Sequence, residues 1–193
     1  MSGQHTGWVS PTLVKSSCVL GTLAGSLVLA GPAMAADLVL TVDIPKLNVA
    51  EYHKPYVSVW IETPAGAPVA TLAVWYDVKL RNEEGKTWLK DMRQWWRKIG
   101  RGMTLPADGI SGATKAPGRH TVSFAGTSPA LARLPAGDYV LRVEAAREVG
   151  GREALDLAFT WDPKKAPSKS GGLQTVTAKG QSELGLVSLS VKP

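Results

Sequence analysis

Cysteine is nearly missing: the 193-residue chain has one, Cys18, and only three histidines. That excludes a disulfide framework and leaves few ligands for a structural zinc site. Neither Gly-x-x-x-x-Gly-Lys nor Gly-x-Gly-x-x-Gly occurs, so the phosphate-cradling loops of kinases and ordinary dehydrogenases are absent. No Ser/His/Asp order and no paired-carboxylate pattern points to hydrolysis. No apolar run reaches the ~20 residues that a membrane-spanning helix needs. Neither sign of charge dominates: 22 basic residues stand against 16 acidic ones, net +6, with a pI of about 9.5. Such mild basicity suits an anionic ligand or surface and does not argue for nucleic acid. At 44% hydrophobic and 20% charged residues, disorder throughout is also excluded, and the length fits one domain.

The first 35 residues contain a single basic residue, Lys15, and no acid. Cys18 to Ala30 is apolar, Gly31-Pro32 breaks the run, and Ala33-Met34-Ala35 supplies small-x-small. This is the order of a secretory signal cut after Ala35. Adjacent arginines are absent, which favours the Sec route. Cleavage would remove Lys15 from the 22 basic residues and none of the 16 acidic ones, leaving net +5. The mature protein is expected in the periplasm, without any thiol.

Residues 36–193 read as one mainly β domain. Runs of period two at Leu38 to Ile44, Tyr56 to Glu62, Val69 to Tyr76, Arg119 to Ala125, Tyr139 to Ala146, Glu153 to Trp161 and Leu184 to Val191 predict strands. Short antiparallel strands at this spacing predict an immunoglobulin-like β-sandwich. Leu134-Pro135-Ala136-Gly137 has a type I turn pattern, and Gly150-Gly151 offers positive φ for a hairpin. Asp162 to Gly172 reads as a polar, flexible loop. In Lys86 to Ile99 the spacing of Trp88, Leu89, Met92, Trp95, Trp96 and Ile99 predicts one amphipathic helix that caps the sandwich core. Its tryptophans are also a candidate wall for a planar ligand.

The informative stretch is Asp108-Gly109-Ile110-Ser111-Gly112-Ala113-Thr114, placed in a predicted loop. It fits Asp-x-x-Ser/Thr-Gly-Ala-Ser/Thr and resembles the acceptor sequence of FAD:protein FMN transferases. Flavin-bearing subunits of sodium-translocating NADH:quinone reductase and the Rnf complex carry that sequence. The resemblance implies that Thr114 takes FMN through a phosphodiester on its hydroxyl, making the chain a substrate of a transferase rather than an enzyme. From average residue usage, a chance match to all five specified positions arises on the order of once in a thousand such chains. The residue types suit the chemistry: Thr114 offers a nucleophilic oxygen, while Gly112 and Ala113 add no bulk. Asp108 and Ser111 are suited to holding the loop through side-chain to backbone bonds, and Lys115 and Arg119 to neutralising the phosphodiester.

A second resemblance covers about residues 38–162. Tyr52 to Trp60 (YHKPYVSVW), Trp88 to Arg97 (WLKDMRQWWR), Ser111 to Gly118 (SGATKAPG) and Glu144 to Gly151 (EAAREVGG) resemble a predicted-periplasmic family of unknown function. That resemblance implies a flavin-bearing redox protein accompanying membrane electron-transfer or iron-uptake components of the PepSY type. The expectation is then an exported electron carrier with FMN on Thr114, one flavin face shielded by Trp60 or by Trp95 and Trp96, and Arg147 near the ring. The competing expectation is a non-catalytic module that binds a protein, a glycan or an iron complex. His53 and His120 read as structural or surface residues. Glu144, Arg147, Glu148, Arg152 and Glu153 read as a solvated ion-pair network.

Overall fold

The computed structural model describes Gly7, residues 36–163 and residues 174–192. The leader and its cleavage site lie outside the described residues apart from Gly7, and the loop at 162–172 apart from Asp162 and Pro163. Among the described residues the strands are β1 (Asp37–Ile44), β2 (Tyr56–Glu62), β3 (Pro68–Tyr76), β4 (Ser111–Ala113), β5 (Gly118–Phe124), β6 (Gly137–Ala146), β7 (Arg152–Trp161), β8 (Gln174–Lys179) and β9 (Leu186–Lys192). They form a four-stranded sheet ordered β5-β1-β9-β8 and a five-stranded sheet ordered β4-β3-β2-β6-β7. The protein is a β-sandwich.

Alternation builds the interior. Leu38, Leu40, Val42 and Ile44 of β1 point inward and are buried, while Val39, Thr41 and Asp43 between them are partly exposed. Val57, Val59 and Ile61 of β2 meet them from the other sheet, with Leu141, Val143 and Ala145 of β6 and Leu157, Phe159 and Trp161 of β7. Each large aliphatic side chain fully withdrawn from water contributes about 1.5–3 kcal/mol. Tyr139, near the start of β6, donates its hydroxyl to the Pro135 carbonyl at 3.0 Å. This is the corner bond that ties the chain between sheets in immunoglobulin-like sandwiches.

Every residue of β2 is buried, although only alternate ones face that interior. The reason is a second apolar cluster on the outer face of the five-stranded sheet, formed by Tyr56, Trp60, Val74 and Tyr76 under Leu89, Met92, Trp95 and Leu105. The helical segment therefore covers the outside of one sheet and does not cap the sandwich interior. It is also divided. Residues Arg81–Asp91 form 3-10 turns with positive φ at Asn82 and Glu83, and α1 (Arg93–Lys98) starts after Met92, whose ψ of 73° is not helical. The buried Glu144 carboxylate of β6 explains that start. It accepts the free backbone N–H of Gln94 at 3.0 Å and of Trp95 at 2.9 Å, and Arg152 donates to its other oxygen.

Other expectations change in detail. β4 pairs with β3 in parallel, so the sheets are not wholly antiparallel. Ser111–Ala113 is thus strand, not loop. In the hairpin between β6 and β7 the positive φ falls on the exposed Val149, not on Gly150 or Gly151. Those glycines make room instead: a Cβ on Gly150 would collide with the Arg147 guanidinium, and one on Gly151 would lie 2.7 Å from Glu183 Oε1. At Leu134–Gly137 the chain bends rather than forming the expected turn, and the Leu134 carbonyl accepts the Trp161 indole N–H at 3.2 Å.

Candidate functional site

The turn Ala107–Ile110 closes with Ile110 N–H donating to the Ala107 carbonyl at 3.2 Å, and Gly109 takes the positive φ of 71°. Ser111 Oγ accepts the Ala107 N–H at 2.9 Å and so locks the turn to the strand that follows. Asp108 is exposed, and among the described residues its carboxylate makes no hydrogen bond. The parallel register then runs Val74 to Ser111, Trp75 to Gly112 and Tyr76 to Ala113. Gly112 eases this approach, since a Cβ there would stand 3.1 Å from Trp75 Cδ1 and the indole would have to shift by a few tenths of an ångström. The next step of the register brings Thr114 opposite Asp77, and Thr114 Oγ1 donates to Asp77 Oδ1 at 3.1 Å.

Thr114 lines a cavity of about 280 Å³ at this end of the five-stranded sheet. The segment before β2 contributes Tyr52, His53 and Lys54, and β2 itself contributes Tyr56. Trp88 and Asp91 of the 3-10 turns and Glu148 of the β6–β7 hairpin complete the wall around Asp77. His53 lies between two carboxylates, with Nε2 3.2 Å from Glu51 and Nδ1 3.6 Å from Glu148. The hydroxyl oxygens of Tyr52 and Tyr56 are buried, and among the described residues no group accepts their protons. Burial raises the pKa of both phenols, and that of Tyr56 reaches about 12. The Asp77 backbone amide acts in the opposite direction on Tyr56, but an amide can only donate, so the phenolic proton still lacks an acceptor.

The structure brings few of the sequence-derived candidates into this cavity. Lys115, the next residue after Thr114, does not line it; its Nζ lies 5.4 Å from the centre of the Trp75 ring. Trp60 and Trp95 are fully buried under the helical segment and donate to Glu62 Oε1 at 2.7 Å and Thr71 Oγ1 at 3.3 Å. Trp96 is half-buried against Trp95, with ring centres 6.3 Å apart. None of the three lines the Thr114 cavity. Arg147 does not line it either: it is nearly buried and holds Glu183 through two hydrogen bonds of 3.0 and 3.2 Å. The ion-pair network around the hairpin is only partly solvated: Arg152 and Glu148 are exposed, but Glu144 is wholly buried, and Glu153 accepts the backbone amides of Gln181, Ser182 and Leu184. Among the described residues, no three His, Cys, Asp or Glu side chains converge to hold a metal.

Residues 37–185, well over half of the chain, match the model of one family, described as predicted periplasmic protein (DUF2271). The chain belongs to that family. No curated protein and no solved structure matches it. All of the cavity-lining residues and the whole Asp108–Thr114 stretch fall inside the matched region.

Asp77 and the paired phenols carry no signal that local reading could use. Asp77 follows a strand and lies 37 residues from Thr114. Only the parallel pairing of β3 and β4 makes them neighbours. Trp88 belonged to the tryptophan-rich stretch, but helical spacing grouped it with Trp95 and Trp96, whereas the break at Met92 directs it to the cavity.

Proposed function

We propose that this protein is a periplasmic electron carrier whose Thr114 receives FMN from FAD through a separate FAD:protein FMN transferase. The observation that carries this reading is the placement of the Thr114 hydroxyl. In a stretch with the transferase acceptor pattern, it borders a cavity and points its proton at a carboxylate, Asp77. In the transfer, Thr114 Oγ1 bonds to the FMN phosphorus of FAD. The pyrophosphate bond to the adenylate breaks, and AMP leaves. The hydroxyl proton goes to Asp77 Oδ1, the acceptor already in place.

Attached FMN would supply reversible two-electron or stepwise one-electron chemistry. The chain holds the tether rigidly, because Thr114 directly follows a strand whose turn is fixed by Ser111 and whose side is packed on Trp75. Lys115 follows Thr114 directly in the chain, and its ammonium, held over the Trp75 ring, would offset phosphodiester charge on turning toward it. The electron partner is proposed to be a membrane redox protein of the PepSY type, with no nucleic-acid role.

Intact mass after export from cells that co-express an FMN transferase tests the reading. Wild type should gain one FMN less one water, and Thr114→Ala should gain nothing. An unmodified wild type, beside a labelled control acceptor from the same cells, overturns it.

A further inference from the structure

Resting on that reading of Thr114, we propose that the neighbouring cavity is the seat of the flavin ring, with Trp88 as its stacking wall and the Tyr52 and Tyr56 hydroxyls as its donors. At about 280 Å³ the cavity lies near the lower end of small-molecule sites, roughly 300–1,000 Å³. That suits a planar tricycle whose ribityl phosphate stays outside on Thr114. Tyr56 is only 7% exposed and among the described residues its hydroxyl has no acceptor, although buried polar groups are nearly always paired. A second phenol on the same wall, Tyr52, repeats the deficit.

The flavin ring carries two carbonyl oxygens and further ring nitrogens that accept hydrogen bonds, and one ring N–H that donates. The two phenols answer the acceptors. Asp91 and Glu148, on the same wall, answer the donor. Because burial pushes the Tyr56 hydroxyl up to about 12, it keeps its proton for donation at any physiological pH. Trp88 is 38% exposed, an indole left at the rim where a planar ring would cover it. Both hydroxyl oxygens are closed off from solvent, so the seat requires the two phenols to turn toward the cavity as the ring enters.

The experiment uses the full exported protein, with loading verified by intact mass. An indole or phenol in contact quenches flavin emission, so loaded wild type should fluoresce several-fold less than free FMN. Trp88→Ala should recover a measurable part of that emission, the phenols still quenching, and Trp96→Phe, outside the cavity, should leave it unchanged from wild type. Loaded wild type as bright as free FMN, or quenching unchanged in Trp88→Ala, overturns the seat while leaving attachment intact. If no FMN is attached, the attachment reading fails and the seat is judged on riboflavin titrated into Thr114→Ala. Saturable quenching weakened about tenfold or more by Trp88→Ala and by Tyr56→Phe supports it. No saturable quenching overturns it.

Discussion

Thr114 donates its hydroxyl to Asp77 across 3.1 Å, one register step beyond the last paired residues of two parallel strands, Tyr76 of β3 and Ala113 of β4. The contact orients the Thr114 hydroxyl and supplies it with a proton acceptor. Neither property belongs to the Asp108–Thr114 stretch alone.

If Asp77 takes that proton, Asp77→Ala should slow FMN attachment by about 10²-fold, the low end of general-base effects. Thr114→Ser should keep attachment, since it retains the hydroxyl. A time course of intact mass with purified transferase and FAD measures both. Equal rates for wild type and Asp77→Ala would leave Asp77 with no part in the transfer.

Glu144→Ala removes the carboxylate that receives the Gln94 and Trp95 amides and the Arg152 guanidinium. Leaving buried donors unpaired costs about 1–3 kcal/mol. The urea midpoint should fall accordingly, and amide exchange should quicken first in α1. A midpoint equal to wild type would show that α1 does not depend on this contact.

Trp95→Ala opens a hole beneath the helical segment, on the outer face of the five-stranded sheet. A loss of about 3–5 kcal/mol is expected for a buried tryptophan, read from urea unfolding. Because that cluster is separate from the sandwich interior, far-ultraviolet strand signal should survive under conditions where the variant remains folded. A loss below about 1 kcal/mol would mean that the segment packs less tightly than the buried indole indicates.

Acid should destabilise the protein through Glu62 and Glu153. Burial works against ionised Glu62, but hydrogen bonds from Lys98 and Trp60 and the charge of Arg142 outweigh it and hold its pKa below 4.5. Burial likewise works against ionised Glu153, and the amides of Gln181, Leu184 and Ser182 overcome it. With folded values below unfolded ones, the unfolded chain binds protons more readily in that range. The stabilisation is complete above about pH 4.5 and is lost as pH falls through the folded values. Urea midpoints between pH 7 and pH 3 should drop on the acid side, and less so in Glu153→Gln. A flat profile would contradict the sign.

Tyr56 sets the opposite limb. Its hydroxyl is pushed up from 10.0 to about 12, so the unfolded chain loses that proton first. Stability present below pH 10 should decline as pH rises toward 12, and Tyr56→Phe should flatten the decline. A decline just as steep in Tyr56→Phe would assign it to another group.

By itself the sequence determined the sandwich. Period-two runs such as Leu38 to Ile44 and Tyr139 to Ala146 place one residue in two on the buried face, and that property needs no partner to be read. It also determined the acceptor-like stretch, whose residue types are adjacent in the chain. It did not reveal β4, because Ser111-Gly112-Ala113 has no apolar alternation and is strand only through its pairing with β3. Nor did it reveal β8, Gln174–Lys179, where half-exposed Val176 and Ala178 alternate with exposed polar residues at an edge of the four-stranded sheet.

Tertiary structure alone decided which aromatic residues stand near Thr114. Helical spacing joined Trp88 to Trp95 and Trp96, yet Glu144, some fifty residues away, starts α1 at Arg93 and separates them. Trp60 and Trp95 became buried because the outer face of β2 is covered, and Arg147 was claimed by Glu183. Asp77, Tyr52 and Tyr56 meet Thr114 because segments distant in the chain come together at one end of the strands of one sheet. The physical reason is range: local patterns encode which face of an element is apolar, whereas a site is assembled by pairings between segments that are far apart in the chain.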